Sequence, residues 1–272
     1  MEIKAADVAK LRKMTGAGLM DCKKALMEAN GDFEKAKDII REKGKLIANK
    51  RADRETTEGV VVARIIGNKG YLLCLACETD FVAKNDTFVN AANEYMDIAV
   101  NNGAKDLESL LAINVNGTAV KDMVTGQSGT IGEKIEIPYF AMIEAPMIAS
   151  YIHSNKKLGS LVGFSTKIDE TVAHDVAMQA TAMAPVAIDR EDIDPKILEK
   201  ELEIGMEQAR GEGKPENMLE KIAQGKVNKF VKENTLWNQA LVKDNKMTVG
   251  EFVKKSNPDA KIVAYKRFSL ND

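Results

Sequence analysis

Two cysteines spaced three residues apart are the first side chains in this sequence that could do chemistry. Cys74 and Cys77 have the C-x-x-C spacing of redox pairs and of half a zinc site. The surrounding residues, however, predict a β-strand, and no second cysteine pair or histidine cluster completes a metal site. We therefore interpret both cysteines as small buried apolar residues, and we expect neither a metal nor another cofactor.

The histidines and the glycine-rich turns give no stronger sign of catalysis. His153 and His174 are the two histidines of the chain, and neither lies near a serine or cysteine in a recognisable nucleophile motif. Residues 15–18 lack the Gly-Lys-Ser/Thr that completes a phosphate-binding loop, and the glycines within residues 126–132 lack the strand that precedes a dinucleotide-binding turn. The sequence thus predicts a protein that is not an enzyme, with His153 as a polar contact at a strand end.

A polar segment after the second cysteine carries an aromatic ring next to a carboxylate. Residues 78–85 follow a predicted buried strand, and within them Phe81 directly follows Asp80. Two interpretations remain open. In the first, which composition alone favours, Phe81 packs into the core of its own subdomain and Asp80 caps the next helix. In the second, the segment is an exposed loop that presents both side chains to another molecule.

The elements that must position this segment begin with three short helices. Apolar residues recur at helical spacing over residues 8–40, interrupted by glycine-containing breaks, and we expect the third helix to end at Gly44. A unit of this size buries little apolar surface. We therefore predict a three-helix docking module over residues 1–44, followed by a polar helical tether over residues 45–57.

Strand patterns follow the tether and recur later in the chain. A β-hairpin with its turn at residues 67–70 precedes an amphipathic helix over residues 87–101. The same order of strand, turn, strand and helix returns over residues 147–183. This repetition predicts an α+β fold with two related core subdomains that pack together.

The second core subdomain is predicted to be interrupted by a helical insertion. The first subdomain is expected over residues 58–145, and the second over residues 146–193 and 234–272. Asp194 and the proline after it have the residue types that begin a helix, and a glycine-rich turn divides the following apolar pattern in two. We predict an antiparallel helical hairpin over residues 194–233.

The charge and composition favour a protein partner over a nucleic acid or a membrane. The formal net charge is -2 and aromatic residues are 5% of the chain, whereas nucleic-acid binders usually carry a clustered positive excess and stacking platforms. No apolar stretch approaches the ~18 residues that a membrane span requires. The three cysteines, with no apolar leader at the start of the chain, lead us to expect a cytoplasmic protein.

Two other functions remain open. An RNA-binding accessory protein of the translation machinery would use a basic strip after the third helix, although interspersed acidic residues and the net charge weigh against it. The strip comprises Lys43, Lys45, Lys50, Arg51 and Arg54. An enzyme would use Asp80 with Lys84 or His153, but the sequence offers no oxyanion, metal or cofactor site to accompany them.

Two ungapped stretches of the sequence, TGAGLMDCKKAL over residues 15–26 and CETDFVAKN over residues 77–85, carry a family resemblance. The first is similar to the N-terminal signature and the second to the core signature of the elongation factor Ts family of bacteria and organelles. The sequence resembles this family over nearly its whole length. Weaker similarity extends over residues 151–162 and 225–249, where residues 239–241 depart from the Gln-Pro-Phe that family members tend to have.

The resemblance implies a fold and a function. It implies a ubiquitin-associated-like fold for the N-terminal module and a partner, the GTPase elongation factor Tu, whose GDP is released when its Mg²⁺ and phosphate site is disturbed. The residues implied in this disturbance are Thr79, Asp80, Phe81 and Val82. Further partner contacts are expected at Val8, Leu11, Met20 and His153. No nucleic acid or membrane is expected as a direct partner, and a homodimer through the helical hairpin is one further arrangement.

Overall fold

The computed structural model describes residues 3–270 and residue 272, and this part of the chain has the predicted α+β character. It divides into two compact units. The first comprises the chain up to Val62, Leu73–Ala141 and the residues from Leu270, and the second comprises Ala63–Leu72 and Met142–Ser269. Of the helices in this part of the chain, none combines the length and the apolar character that crossing a membrane would require.

Three helices form the N-terminal module, as predicted. They are α1 (Ala5–Thr15), α2 (Leu19–Glu28) and α3 (Phe33–Lys50). Gly16 ends α1 in the left-handed conformation, with φ of 69°, and the Asp32 carboxylate caps α3 by accepting hydrogen bonds from the backbone N–H groups of Glu34 and Lys35. Apolar side chains from all three helices, Leu11 and Leu26 among them, close a small core.

The expectation that the third helix ends at Gly44 is wrong. Helix α3 continues through Gly44 to Lys50, and Gly44 is buried. Glycine is a poor residue for a helix interior and commonly marks a helix end. Here it lies inside the helix where a second helix packs directly against its backbone.

A hairpin, a set of helices and a further strand come next along the chain, and these helices all belong to the first unit. These elements are β1 (Glu58–Ile66), β2 (Lys69–Cys77), α4 (Asp80–Ala83), α5 (Asp86–Asn101), α6 (Leu107–Ala112), β3 (Asn114–Val115), β4 (Thr118–Ala119), α7 (Val120–Ile131) and β5 (Glu136–Glu144). Strands β1, β2 and β5 form a sheet in the order β1-β2-β5. The central strand β2 is almost entirely buried, which explains its nearly continuous apolar sequence. Short elements such as α4, α6, β3 and β4 were not predicted.

Helices α3 and α7 of this unit cross with their backbones in contact. An ideal Cβ built on Gly129 of α7 would lie 2.1 Å from the Cα of Gly44. Arg41 of α3 also pairs with Asp122 of α7, with 3.3 Å between Nη2 and Oδ2. The N-terminal module is therefore fixed to α7 by a glycine crossing and an ion pair. Helix α7 then ends at Gly132, which has a φ of 82°.

The second unit repeats the order of strand, turn, strand and helix. Its elements are β6 (Met147–Ile152), β7 (Leu158–Phe164), α8 (Glu170–Met183) and β10 (Ile262–Ser269). The strands form a sheet in the order β10-β7-β6, with both pairs antiparallel. Phe164 and Val176 belong to the core that α8 closes with this sheet. The relationship between the two core subdomains, and the boundaries of the domains, stay predictions.

A helical hairpin and a small closing motif lie between α8 and β10. The hairpin is α9 (Pro195–Gly211) and α10 (Glu216–Asn234), followed by β8 (Ala240–Leu241), β9 (Asp244–Thr248) and α11 (Val249–Ser256). Asp194 caps α9 through the backbone N–H of Lys196, and Pro195 occupies its first turn, as expected from the sequence. Gly205 and Ala223 allow the two helices to approach closely. A homodimer through this hairpin stays a prediction.

Candidate functional site

Phe81 is the most exposed large apolar side chain of the described residues. Its ring is 85% exposed on the one-turn helix α4, directly after the buried strand β2. The interpretation in which Phe81 packs into its own core is therefore wrong. Asp80 does not cap the next helix either, because Asn85 accepts the hydrogen bond from the backbone N–H of Thr87. The ring and the carboxylate both face outward from the end of the strand.

The local sequence explains why a single helical turn forms here. Thr79 has extended backbone angles and caps the turn, with the N–H of Val82 donating to its hydroxyl oxygen at 3.5 Å. The backbone N–H groups of Ala83 and Lys84 then donate to the carbonyls of Thr79 and Asp80. Asn85 begins α5 directly afterwards. Two caps six residues apart thus hold Phe81 at a fixed place on a short turn.

Asp80 is held as a carboxylate next to the ring. Lys84 donates a hydrogen bond from Nζ to Oδ2 of Asp80 over 2.6 Å. This hydrogen bond, together with the positive charge of Lys84, lowers the pKa of Asp80 below its ordinary value. The site therefore presents an ionised carboxylate, paired with Lys84, beside an apolar ring at neutral pH.

Glu133, which follows the end of α7, anchors the segment that leads into the turn. Its Oε2 accepts hydrogen bonds from the backbone N–H groups of Glu78 and Thr79, at 3.1 Å and 3.0 Å. Its Oε1 accepts the hydroxyl of Thr79 at 2.6 Å. The cap of α4 is thus bound to a carboxylate that lies 54 residues further along the chain.

Glu78 forms a second anchor, in which the carboxylate belongs to the segment and the donors lie outside it. Its carboxylate accepts the backbone N–H of Lys134 at 2.6 Å and the Nη1 of Arg51 at 2.9 Å. Burial raises the pKa of Glu78, but these hydrogen bonds and the charge of Arg51 together lower it by more than burial raises it. The pKa of Glu78 therefore lies below its ordinary value. Residues that follow α3 and α7 therefore both hold the segment before Phe81. Glu133 was not predicted, and Arg51 was assigned only to the basic strip, since the local signal of each is a charge just after a helix end.

Similarity to known proteins covers this site. The family model described as Elongation factor TS matches residues 78–272. Elongation factor Ts of Christiangramia forsetii is 50% identical over 273 residues, covering 99% of this chain and 99% of that protein. The corresponding proteins of Flavobacterium psychrophilum, at 46% identity with 98% of both chains covered, and Porphyromonas gingivalis, at 43% identity with 100% of this chain and 99% of the other covered, are also similar.

The chain belongs to the elongation factor Ts family. Membership confirms the resemblance inferred from residues 15–26 and 77–85, and it places the protein in translation elongation. The family match begins at Glu78, so that it includes the exposed turn and its Glu133 anchor.

The other contact residues expected from the elongation factor Ts resemblance differ in their exposure. Met20 is 64% exposed at the start of α2, and His153 is exposed where β6 turns into β7. Val8 and Leu11 instead lie in the core of the N-terminal module. A buried side chain presents no surface to a partner, so any effect of these two residues on binding has to act through the shape of the module.

The rival functions find less support in the geometry. Three side chains of the basic strip are paired with acids: Lys43 with Asp21, Lys45 with Glu42, and Arg51 with Glu78. Across residues 3–270 and 272, no group of three or more histidine, cysteine, aspartate or glutamate side chains could hold a metal ion.

The two closely spaced cysteines are buried, as the sequence analysis inferred. Cys74 and Cys77 both lie in β2 and have no exposed surface. Burial raises the pKa of both thiols, and that of Cys77 reaches about 12. Neither thiol has the depressed pKa of a reactive or metal-binding cysteine.

Proposed function

We propose that this chain is a guanine-nucleotide exchange factor that binds elongation factor Tu carrying GDP and promotes release of the nucleotide. The observation that carries the proposal is an 85% exposed Phe81 ring next to the ionised Asp80, on a turn that two anchors hold in place. In this function the chain turns over no substrate. It acts by binding two states of its partner with different affinity.

The thermodynamics of exchange define what such a site has to achieve. A GTPase holds its nucleotide through Mg²⁺ and backbone donors around the phosphates, and nanomolar affinity corresponds to about 12 kcal/mol. A factor weakens nucleotide binding only if it binds the nucleotide-free form better than the filled form. By linkage the weakening is reciprocal, so nucleotide weakens the binding of the factor to the same extent.

Phe81 can favour one state of the partner over the other because its ring is exposed in the free protein and is available for burial. Burying a phenylalanine side chain that was exposed contributes about 2–3 kcal/mol. Inserted between elements of the GTPase, the ring would use this energy to displace the structure that supports the metal. Applied entirely to the barrier for release, that energy corresponds to a change in rate of roughly 30-fold to 160-fold.

Asp80 complements the ring with charge. A carboxylate brought near the nucleotide site repels the phosphates and competes for the water shell of the metal. Thr79 and Val82 complete the turn that carries both side chains. We propose Met20 and His153 as peripheral contacts that contribute affinity, with Val8 and Leu11 maintaining the shape of the N-terminal module.

The decisive experiment measures release of fluorescent GDP from elongation factor Tu by stopped flow. We expect strong acceleration by the native chain, a loss of roughly 30-fold or more with Phe81→Ala, and a smaller loss with Asp80→Ala. Val242→Ala is the matched control, because Val242 is an exposed apolar residue, 64% accessible, outside the site. It should accelerate release as the native chain does.

Two outcomes would contradict the proposal. The native chain could leave the rate of GDP release unchanged, in which case it is not an exchange factor for this partner. Alternatively, Phe81→Ala and Asp80→Ala could both match the native rate, and the exposed turn would then have no part in exchange.

A further inference from the structure

Glu133, the residue after the glycine that ends α7, makes three hydrogen bonds with the segment that leads to Phe81. Glu133 uses both carboxylate oxygens, one on two consecutive backbone N–H groups and the other on the hydroxyl of Thr79. Hydrogen bonds to an ionised acceptor are shorter and stronger than neutral ones. The hydroxyl that caps α4 is therefore oriented from outside the segment.

The one-turn helix depends on this orientation. Helix α4 has four residues, and a single turn is unfavourable by itself because nucleation fixes several dihedral angles for one hydrogen bond. Its cap uses the same Thr79 oxygen that donates to Glu133, and that oxygen accepts from Val82. The carboxylate leaves the hydroxyl lone pairs free for the N–H of Val82, so the anchor and the cap support each other.

The anchor is itself attached to the N-terminal module. Glu133 follows α7, whose Gly129 contacts the backbone of Gly44 in α3, and the residue after α3, Arg51, pairs with Glu78. Two crossing helices thus hold the two residues that precede the turn. Force applied to Phe81 by a partner would therefore reach α3 and α7 through Arg51 and Glu133.

We propose that Glu133 is a positioning residue for nucleotide exchange, and that it acts through the Thr79 cap to hold Phe81 in the orientation needed for insertion. This inference rests on the proposed exchange function and adds to it a residue outside the resemblance motifs. Glu133 touches neither nucleotide nor metal in this role. Its effect is to keep the ring from being displaced when the partner resists insertion.

The test compares Glu133→Ala with Glu133→Gln in the full chain, measuring GDP release from elongation factor Tu over a range of factor concentrations. Alanine removes all three acceptor contacts, and we expect the maximal release rate to fall on the order of tenfold to a hundredfold, with the half-saturating concentration within about twofold. Glutamine can accept both backbone N–H groups with its oxygen and donate its amide to the Thr79 hydroxyl. It should stay within about threefold of the native maximal rate.

Measuring the maximal release rate separately from the half-saturating concentration distinguishes loss of the positioning role from loss of folded protein. A variant that is partly unfolded contains less active factor, which raises the apparent half-saturating concentration and leaves the maximal rate unchanged. Glu94→Ala, an exposed glutamate on α5, is the control and should leave both parameters unchanged.

Two results would overturn the inference. Glu133→Ala could retain the native maximal rate, or it could raise the half-saturating concentration without changing the maximal rate. If Phe81→Ala loses activity in the same assay while Glu133→Ala keeps it, only the positioning role fails. If Phe81→Ala is also fully active, the exposed turn has no part in exchange. If the native chain itself leaves the rate of GDP release unchanged, the exchange function fails.

Discussion

Adding one methyl group to Gly129 should separate the N-terminal module from α7. An ideal Cβ at this position would lie 2.1 Å from the Cα of Gly44, and 3.0 Å and 3.1 Å from its carbonyl carbon and oxygen. These are backbone atoms, so no side chain can rotate away. Ordinary contact for a Cβ begins near 3.4 Å, which means that α3 and α7 must move apart by more than an ångström.

The expected cost follows from two opposing terms. Overpacking of this kind destabilises by about 1–3 kcal/mol, and the rigid backbone contact puts Gly129→Ala near the upper end. Alanine gains about 1 kcal/mol over glycine in a helix interior, so the net loss is about 1–2 kcal/mol. For a chain of this size that corresponds to a fall in melting temperature of about 2–8 °C.

Gly126 provides the matched control on the same helix. An added Cβ there meets no atom within 4 Å, so Gly126→Ala gains helix propensity without a clash and should raise the melting temperature. Gly44→Ala should also be tolerated, because its nearest contact would be 3.7 Å away. Thermal unfolding followed by circular dichroism measures all three variants. Equal stability of Gly129→Ala and Gly126→Ala would refute the backbone crossing.

Three further predictions concern the exposed turn and its surroundings. Because Lys84 lowers the pKa of Asp80, Lys84→Met should raise the titration midpoint of the Asp80 carboxyl measured by NMR, and an unchanged midpoint would contradict the pairing. The pair contributes to stability above the ordinary aspartate pKa, and this contribution is lost as the pH falls through the lowered pKa of Asp80. Burial, which raises the pKa of Cys77 to about 12, should prevent reaction with a thiol reagent at pH 8 until the protein is unfolded, whereas prompt reaction in the native state would show that the thiol is accessible. In denaturant unfolding, Phe88→Ala should lower the free energy of unfolding by about 3–5 kcal/mol because its ring is buried, whereas Phe81→Ala should change it by less than about 0.5 kcal/mol. Similar losses in the two variants would contradict the different exposure of the two rings.

Local patterns were sufficient for most of the secondary structure. The order of strand, turn, strand and helix predicted over residues 147–183 is present as β6, β7 and α8, because alternation and turn residues are properties of neighbouring residues. Gly44 shows where such rules stop applying. Its residue type suggests a helix end, but the helix continues through it, and the second helix that packs against it is in a position no local window contains.

The candidate site was found from its sequence motif, and its geometry was not. Composition favours burial of a phenylalanine, whereas Phe81 is exposed, because the preceding strand already fills the core and the capped turn faces outward. The contacts of Glu133 and Arg51 with the segment span tens of residues in sequence. Such pairings depend on tertiary structure, so a single sequence without its fold could not reveal them.

The brevity of α4 limits how this surface could be imitated. A synthetic heptapeptide copying the turn would lack Glu133 and Arg51, and four helical residues in water would sample many conformations. An inhibitor based on the ring and its acidic neighbour would therefore need a chemical cross-link or a macrocycle to replace what the neighbouring helices supply.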